Sequence, residues 1–448
     1  MTTQKTFTKE QFKTFATNAF QMLKTGEIVT FSLSAENTLF TRLSKAKIRQ
    51  SSYVDQGSVS MNLIADGKTI NMSFNYTQDL NNDLLIFRSY LDKARSYLPG
   101  LNTDPYQVVP TNNGESVLEA IHGELPSDEE IIALALDHVG DNDLAGVLTK
   151  GDMIRANANS LGQFHWFKTR SFYVDYSFYN EKQKAVKGLY AGSVWNQQDY
   201  TRELKDSIDK LNMMSKESVE VPRGDYRVYL APSAVNEILG ILSWGGVSAG
   251  AHKRGEGSLN QLMKGEKKLS PKFTLEEDFN LGLAPRFNDL GEVSPLSLTL
   301  IENGEYKEFL TSTRTAKEFN LNSNFASEYE GLRSPKIHGG ELKREDILKK
   351  LDRGLYISDL HYLNWSDRET ARITGMTRYA CFWVENGEIV APIKDLRFDE
   401  SIYKIFGSGL VEFTEATSIV PATGSYGGRD IGGTSVPGAL IEGFTFTL

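Results

Sequence analysis

The sequence predicts an α+β fold in two domains: helices packed on a mixed or antiparallel sheet, then a mostly antiparallel, β-rich second half. Three observations carry this. Helical periodicity brackets a meander of alternating runs instead of alternating strand by strand with it, which points away from a doubly wound α/β sheet. Tight-turn chemistry, such as Ala65-Asp66-Gly67-Lys68, joins successive strands as hairpins. Pro222-Arg223-Gly224-Asp225 then punctuates the chain between a long helical pattern and a strand-rich remainder, which places the division at 1–221 and 222–448.

Thr8–Leu23 sets Phe12, Phe15, Ala16, Ala19, Phe20 and Leu23 at helical spacing, with Thr8 as N-cap and Gly26 as stop. Strand-like runs follow at Ile28–Ser34, Thr38–Gln50, Ser58–Ala65 and Thr69–Tyr76, the last two joined at Asp66-Gly67. Leu80–Leu98 returns to helical spacing and ends at Pro99-Gly100, and Thr103–Gly114 is a Pro/Asn-rich loop. Ser127 caps a helix to Val139 whose first turn, Asp128-Glu129-Glu130, suits the helix dipole. Alternating runs occupy Leu144–Ala158, Gln163–Tyr179 and Ala185–Trp195, with Asn180–Lys184 as a hairpin tip, before a helix over Asp199–Lys216. Beyond the boundary come a short strand (Tyr226–Leu230), an apolar helix (Ser233–Trp244, Ser233 as possible cap), a Gly-rich stretch to Gly265, and strands to the end. Gly354–Ile393 reads as a strand, a polar loop and a two-stranded return around Glu385-Asn386-Gly387-Glu388.

Composition narrows the function. A chain of 448 residues buries more than one core. Its net charge of −9, from 58 acidic and 49 basic residues, argues against nucleic acid as the main partner, since phosphate binding needs clustered cations. One cysteine, Cys381, excludes an internal disulfide and any multi-Cys metal site. The N-terminus lacks the apolar region of a secretory signal, and no apolar run approaches a membrane span of roughly 20 residues. A cytoplasmic location is expected. No glycine pattern matches a phosphate-cradling loop.

Several segments resemble the TldD/PmbA family, in particular its TldE (PmbA) branch. They are Asn157–Gly162 with Thr169–Phe172, Tyr229–Pro232 leading into an apolar helix, Ser258-Leu259, Phe273–Asp278, Phe287–Gly291, Glu302–Gly304 with Phe309–Ser312, and Gly354–Ile393. The likeness covers 150–448 well and 1–150 by pattern only. It implies a two-subunit zinc peptidase of the bacterial cytoplasm that acts on unfolded peptides, which can be held as an added strand. The TldD branch carries H-E-x-x-x-H on the helix after the opening strand, two histidines for zinc and a glutamate to polarise water. Registered from Tyr229–Pro232, those positions fall on Gly240, Ile241 and Gly245, and the branch's further Cys ligand would fall near Gly427-Gly428. None can bind zinc. His122, His138, His165, His252, His338 and His361 are scattered. The resemblance therefore implies a subunit with no catalytic residue and no metal ligand of its own. It would complete a substrate chamber with a TldD-like partner that holds the zinc, or pair with itself. The alternative is a peptide- or protein-binding regulatory module, gyrase-modulator-like, without proteolysis.

Individual residues stay open between two readings. Glu237 is a helix residue facing solvent or a catalytic acid. The Gly245–Gly257 stretch with His252, Lys253 and Arg254 is a plain loop or a substrate-facing one. Cys381 is a buried small hydrophobe or a nucleophile. Asp359, His361, Asn364 and Asp367 form loop hydrogen bonds or a dyad-like cluster. Arg372 and Arg378 are solvated or grip a carboxylate. The aromatic hairpin around Tyr173, Tyr176, Phe178 and Tyr179 is sheet core or an interface patch. The candidate substrate-binding residues are Asn364, Arg378 and Arg254.

Overall fold

The computed structural model describes residues 6–121 and 123–447; His122 lies outside the described residues. Helix α1 (Lys9–Phe20) starts with a capping box: Thr8 accepts from the Gln11 backbone, and the Gln11 side chain accepts from the Thr8 N–H. Its Phe12 and Phe15 pack against Phe31, Tyr76 and Phe87, each buried ring contributing about 2–3 kcal/mol. Helix α2 (Leu80–Tyr97) is capped by Asp79 and α3 (Asp128–Leu136) by Ser127.

The first sheet is built from β1 (Ile28–Ser44), β2 (Lys47–Ala65), β3 (Lys68–Asn75), β4 (Glu115–Ala120), β5 (Asp143–Asn159), β6 (Phe164–Tyr179) and β7 (Ala185–Gly192). The order is β3-β2-β1-β5-β6-β4, with β7 also on β6, and every pairing is antiparallel except β4 with β6. Two sequence expectations fail here. β1 does not break after Ser34: Ala35, Glu36 and Asn37 stay in register with Gly57, Gln56 and Asp55. The reversal comes at Lys45-Ala46, both at φ 53°, a two-residue hairpin turn with positive φ at both centres. The expected Thr38–Gln50 strand is thus the end of one strand, a turn and the start of the next. The edge strand β4 was not expected from the sequence.

Strand parity then sorts the chemistry. Odd-numbered residues of β1 (Val29, Phe31, Leu33, Leu39, Leu43) are buried beneath α1, α2, α3 and α4 (Gln197–Met214). Even-numbered Thr30, Ser32, Ser34 and Glu36 turn to the other face, toward the second sheet.

That second sheet has thirteen strands and draws them from 224–446. β8 (Gly224–Leu230) lies between Gly433–Phe446 on one side and Gly354–Ile357 on the other. Helix α5 (Pro232–Leu242) follows directly. Its N-cap is Ala231 without a side-chain bond, and Pro232 pre-sets the first turn, so Ser233 is inside the helix and not its cap. The expected polar loop after Gly354–Ile357 is a β-hairpin, Asp359–Asp367 with Arg372–Arg378. The return around Asn386-Gly387 forms as expected, both residues at positive φ. In the Gly-rich stretch, Ala249–Lys253 and Asn260–Met263 form short helices. Buried Glu330 fixes the first, accepting from Ser248 Oγ at 2.6 Å and Gly250 N at 2.8 Å.

Candidate functional site

The two sheets meet along a seam, and two of the segments singled out in the sequence meet there. Asn157 Nδ2 donates to the Asp289 carbonyl at 2.7 Å, Ser32 Oγ donates to the same oxygen at 2.9 Å, and Gln163 Nε2 donates to the Leu290 carbonyl at 3.0 Å. Gly291 follows at φ 76°, and a Cβ there would lie 1.7 Å from Gln163 Nε2, so the loop fits against the first sheet only with glycine. Further along, the tip of the C-terminal hairpin (Leu410–Pro421 and Gly433–Phe446) reaches across. Arg429 donates to Ser171 O at 3.1 Å and Ser171 Oγ at 2.9 Å, lies over the Tyr173 ring, and gives its backbone N–H to Glu36. Burial lowers its pKa to about 10, with Tyr173 and Glu36 opposing, so it stays charged at neutral pH.

Between these contacts lies a cleft of about 470 Å³. Its floor is β1 and β5, represented by Ser32 and Arg155. One wall is α5, and the other is the hairpin from Val420 to Thr434. α5 turns Ala234, Val235, Ile238, Ile241 and Leu242 into the core of the second half. It presents Asn236, Gly240 and Ser243, spaced i, i+4, i+7, to the cleft. Of the three positions registered for the zinc motif, only Gly240 faces the cleft. Ile241 is 3% exposed in the core, and Gly245 lies past the helix end at φ 87°. An amide, a bare backbone and a hydroxyl are not the imidazole, thiolate or carboxylate set that zinc takes, so the residues present do not fit that ion. Gly427 and Gly428 line a neighbouring cleft of about 770 Å³. Among the described residues, no group of three or more His, Cys, Asp or Glu side chains is placed to hold a metal.

Charge is unevenly satisfied around the cleft. Arg333 forms part of its lining and donates to Phe287 O and Ser294 Oγ. Glu277 is 2% exposed; burial pushes its pKa up to about 7, against Arg333 and the N–H groups of Arg333 and Ser334. The Arg155 side chain is half-buried and, among the described residues, makes one hydrogen bond, to the Ile154 carbonyl at 2.8 Å.

The candidate binding residues fall elsewhere. Asn364 is exposed, its Oδ1 accepting from the Trp365 N–H. Arg378 is exposed and stacks on Tyr379. Arg254 is exposed at the end of Ala249–Lys253, 3.7 Å from Glu256. None of the three lines the cleft. Arg372 pairs with Asp399 at 2.7 Å. His252 is buried, its ring nitrogens at 2.8 Å from Asn260 Oδ1 and from Gly246 O. Asp367 closes a local turn onto Glu369 and Thr370, and among the described residues no carboxylate bonds His361, whose pKa is lowered by burial and Arg378. Cys381 is 3% exposed, donates to the Arg378 carbonyl, and is pushed up to about 12 by burial. Glu237 is exposed on α5, where the surrounding protein partly desolvates its carboxyl and, with Asp359, raises its pKa. Tyr173, Tyr176 and Phe178 are buried sheet core. Arg155 and Asn236, which the cleft does bring together, carried no sequence signal beyond strand parity and helix spacing.

The fold is shared with solved structures of low sequence identity. A proposed DNA-gyrase modulator from Thermotoga maritima aligns over 97% of this chain and 100% of its own, with 18% identity and a TM-score of 0.75. TldE from Thermococcus kodakarensis covers 98% of this chain and 100% of its own, with 14% identity and a TM-score of 0.75. A second proposed DNA-gyrase modulator, from Bacteroides thetaiotaomicron, covers 98% of each chain, with 15% identity and a TM-score of 0.76. No curated protein sequence matches the chain. No helix of the described residues is long and apolar enough to cross a membrane. The PmbA/TldA metallopeptidase C-terminal domain model matches residues 223–448, from the start of β8 through α5 and the hairpin that walls the cleft. The chain belongs to the PmbA/TldA metallopeptidase family.

Proposed function

We propose that this chain is the non-catalytic subunit of a cytoplasmic TldD/TldE-like metallopeptidase complex. It completes the chamber around an unfolded peptide, while hydrolysis takes place at zinc on a TldD-like partner. The observation that carries this reading is the cleft-facing side of α5, where Asn236, Gly240 and Ser243 stand in a metallopeptidase family whose chemistry needs ligands and a base. Asn364, Arg378 and Arg254 are exposed and outside the cleft, which suits contacts with a partner chain better than with a ligand held within this one.

The test pairs the purified chain with a TldD-like chain bearing H-E-x-x-x-H. Zinc content is measured for each alone, and cleavage of an unfolded peptide is followed for each and for the mixture. Zinc in the partner only, with faster cleavage by the mixture, supports the proposal. Stoichiometric zinc in this chain by itself, or an undiminished rate from the partner alone, overturns it. A tight complex with no cleavage in the presence of zinc would favour a binding module instead.

A further inference from the structure

Among the described residues, the cleft between β1, α5 and the C-terminal hairpin holds one cation whose bonding capacity is mostly unused. The Arg155 side chain donates from Nη1 to the Ile154 carbonyl and has no other hydrogen bond and no ion pair among the described residues. A guanidinium carries five N–H donors in a fixed fork that matches a carboxylate. Its neighbour Arg333 differs, with donors already engaged by Phe287 O, Arg286 O and Ser294 Oγ. Arg429, across the hairpin tip, is engaged by Ser171 and Tyr173. Arg155 alone among these three retains a free fork. It borders both the 470 Å³ cleft and the adjoining one.

We infer that the cleft is a peptide-binding site in which Arg155 clamps a carboxylate of the ligand and Asn236 bonds its backbone. Asn236 accepts from Thr434 Oγ1 at 2.6 Å through Oδ1, which leaves its amide N–H groups for a ligand carbonyl. Gly240 offers open space, since a Cβ there would meet nothing within 4 Å. Apolar Leu239, Leu332, Val420 and Ile431 complete the lining and suit an amphiphilic ligand. A carboxylate fits better than a phosphate. Glu36, Asp289 and Asp430 all act electrostatically on Arg155, and such surroundings disfavour a dianion facing a single free cation. Burial lowers the pKa of Arg155 while those acids raise it. The volume is in the range of small-ligand sites and suits the last two or three residues of a chain.

This deepens the peptide-binding reading and rests on it for the choice of a peptide. It concerns a cleft within one chain, so it is tested without partner or zinc. An N-acetylated, unstructured hexapeptide is titrated into the isolated full chain by calorimetry in three forms: with a free C-terminal carboxylate, with a C-terminal amide, and amidated with one internal aspartate. Inorganic phosphate serves as a competitor. The expected result is about tenfold or tighter binding of a carboxylate form than of the plain amide. A preference for the free C-terminus assigns the clamp to chain ends, and a preference for the aspartate form assigns it to acidic side chains. Arg155→Gln should bring all three peptides to the affinity of the amide, with Arg155→Lys between, at unchanged melting temperature. Equal affinities in the native chain, no binding of any form, an unaltered preference in Arg155→Gln, or full displacement by equimolar phosphate would overturn the inference. The comparison of peptides on the native chain stands even if a variant fails to fold. Loss of the complex-dependent cleavage with this preference intact would sink the subunit proposal alone.

Discussion

The seam between the two sheets is pinned in some places and open in others, and the difference lies in where side-chain bonding is satisfied. At the pins, the strong groups are engaged across the seam, with Arg429 Nε as the exception. Arg429 holds Ser171 and Tyr173, while the Asp289 and Leu290 carbonyls are held by Ser32, Asn157 and Gln163. Arg314 pairs with Asp104, and Lys317 donates to the Gln107 carbonyl at 2.9 Å. Between the pins, Arg155, Asn236 and Gly240 have bonding capacity or space left over. Buried polar groups in folded chains are normally satisfied, so the pins account for how the halves are held and the leftover groups mark what the halves are held around.

The sharpest way to break this comparison is to remove one arginine from each region. Arg429→Ala deletes two charge-assisted hydrogen bonds and a cation–π contact at a site 8% exposed, and should cost about 3 kcal/mol. Arg155→Ala deletes one bond to a neighbouring carbonyl and should cost under about 1 kcal/mol. Urea unfolding of both variants measures the gap; equal losses would mean that Arg155 is structural as well. Glycines offer the next test. Gly291→Ala places a methyl group into Gln163 and forces a non-glycine to φ 76°, at a cost of about 2 kcal/mol.

How much of this was legible in the sequence follows from the range of the interactions. The N-caps at Thr8 and Ser127 and the Asp66-Gly67 turn are legible because all their partners lie within four residues. β1 reads as two strands in the sequence because Glu36 and Asn37 interrupt the apolar alternation. Both are buried: Glu36 accepts from Gln56 and from the Arg429 backbone, 393 residues away, and Asn37 bonds Asp55. β4 escaped notice because five of its six residues are exposed, which leaves no periodic pattern. The resemblance located α5 and the motif register but not the cleft, which is enclosed by β1, β5, α5 and the hairpin from distant parts of the chain. Asn364, Arg378 and Arg254 stand out by residue type in polar or Gly-rich segments, and nothing local reports which surface such a segment joins.

A smaller effect links the cleft lining to pH. Glu277 bonds the N–H groups of Arg333 and Ser334 beneath the lining, and its pKa is raised from 4.5 to about 7. The folded state therefore holds this proton more tightly than the unfolded chain does. Its contribution is complete below about pH 4.5 and is lost as pH rises through about 7. Glu277→Gln, which mimics the protonated form, should gain on the native chain by on the order of 2 kcal/mol between pH 5 and 8. Unfolding curves at both values check this; a constant difference would mean that the carboxylate is already ionised at pH 5.

The smallest effect is the most direct test of openness. Gly240 is inside α5, where glycine costs about 0.5–1 kcal/mol relative to alanine through backbone entropy. A Cβ at this position meets nothing, in contrast to Gly291, so Gly240→Ala should stabilise the chain by about that amount and raise its thermal midpoint slightly. The same methyl group projects into the cleft and should weaken binding of any ligand that lies along α5. Higher stability with weaker peptide binding would separate what the helix needs from what the cleft needs. If stability falls instead, the space over Gly240 is filled in solution, and this part of the seam belongs with the pins.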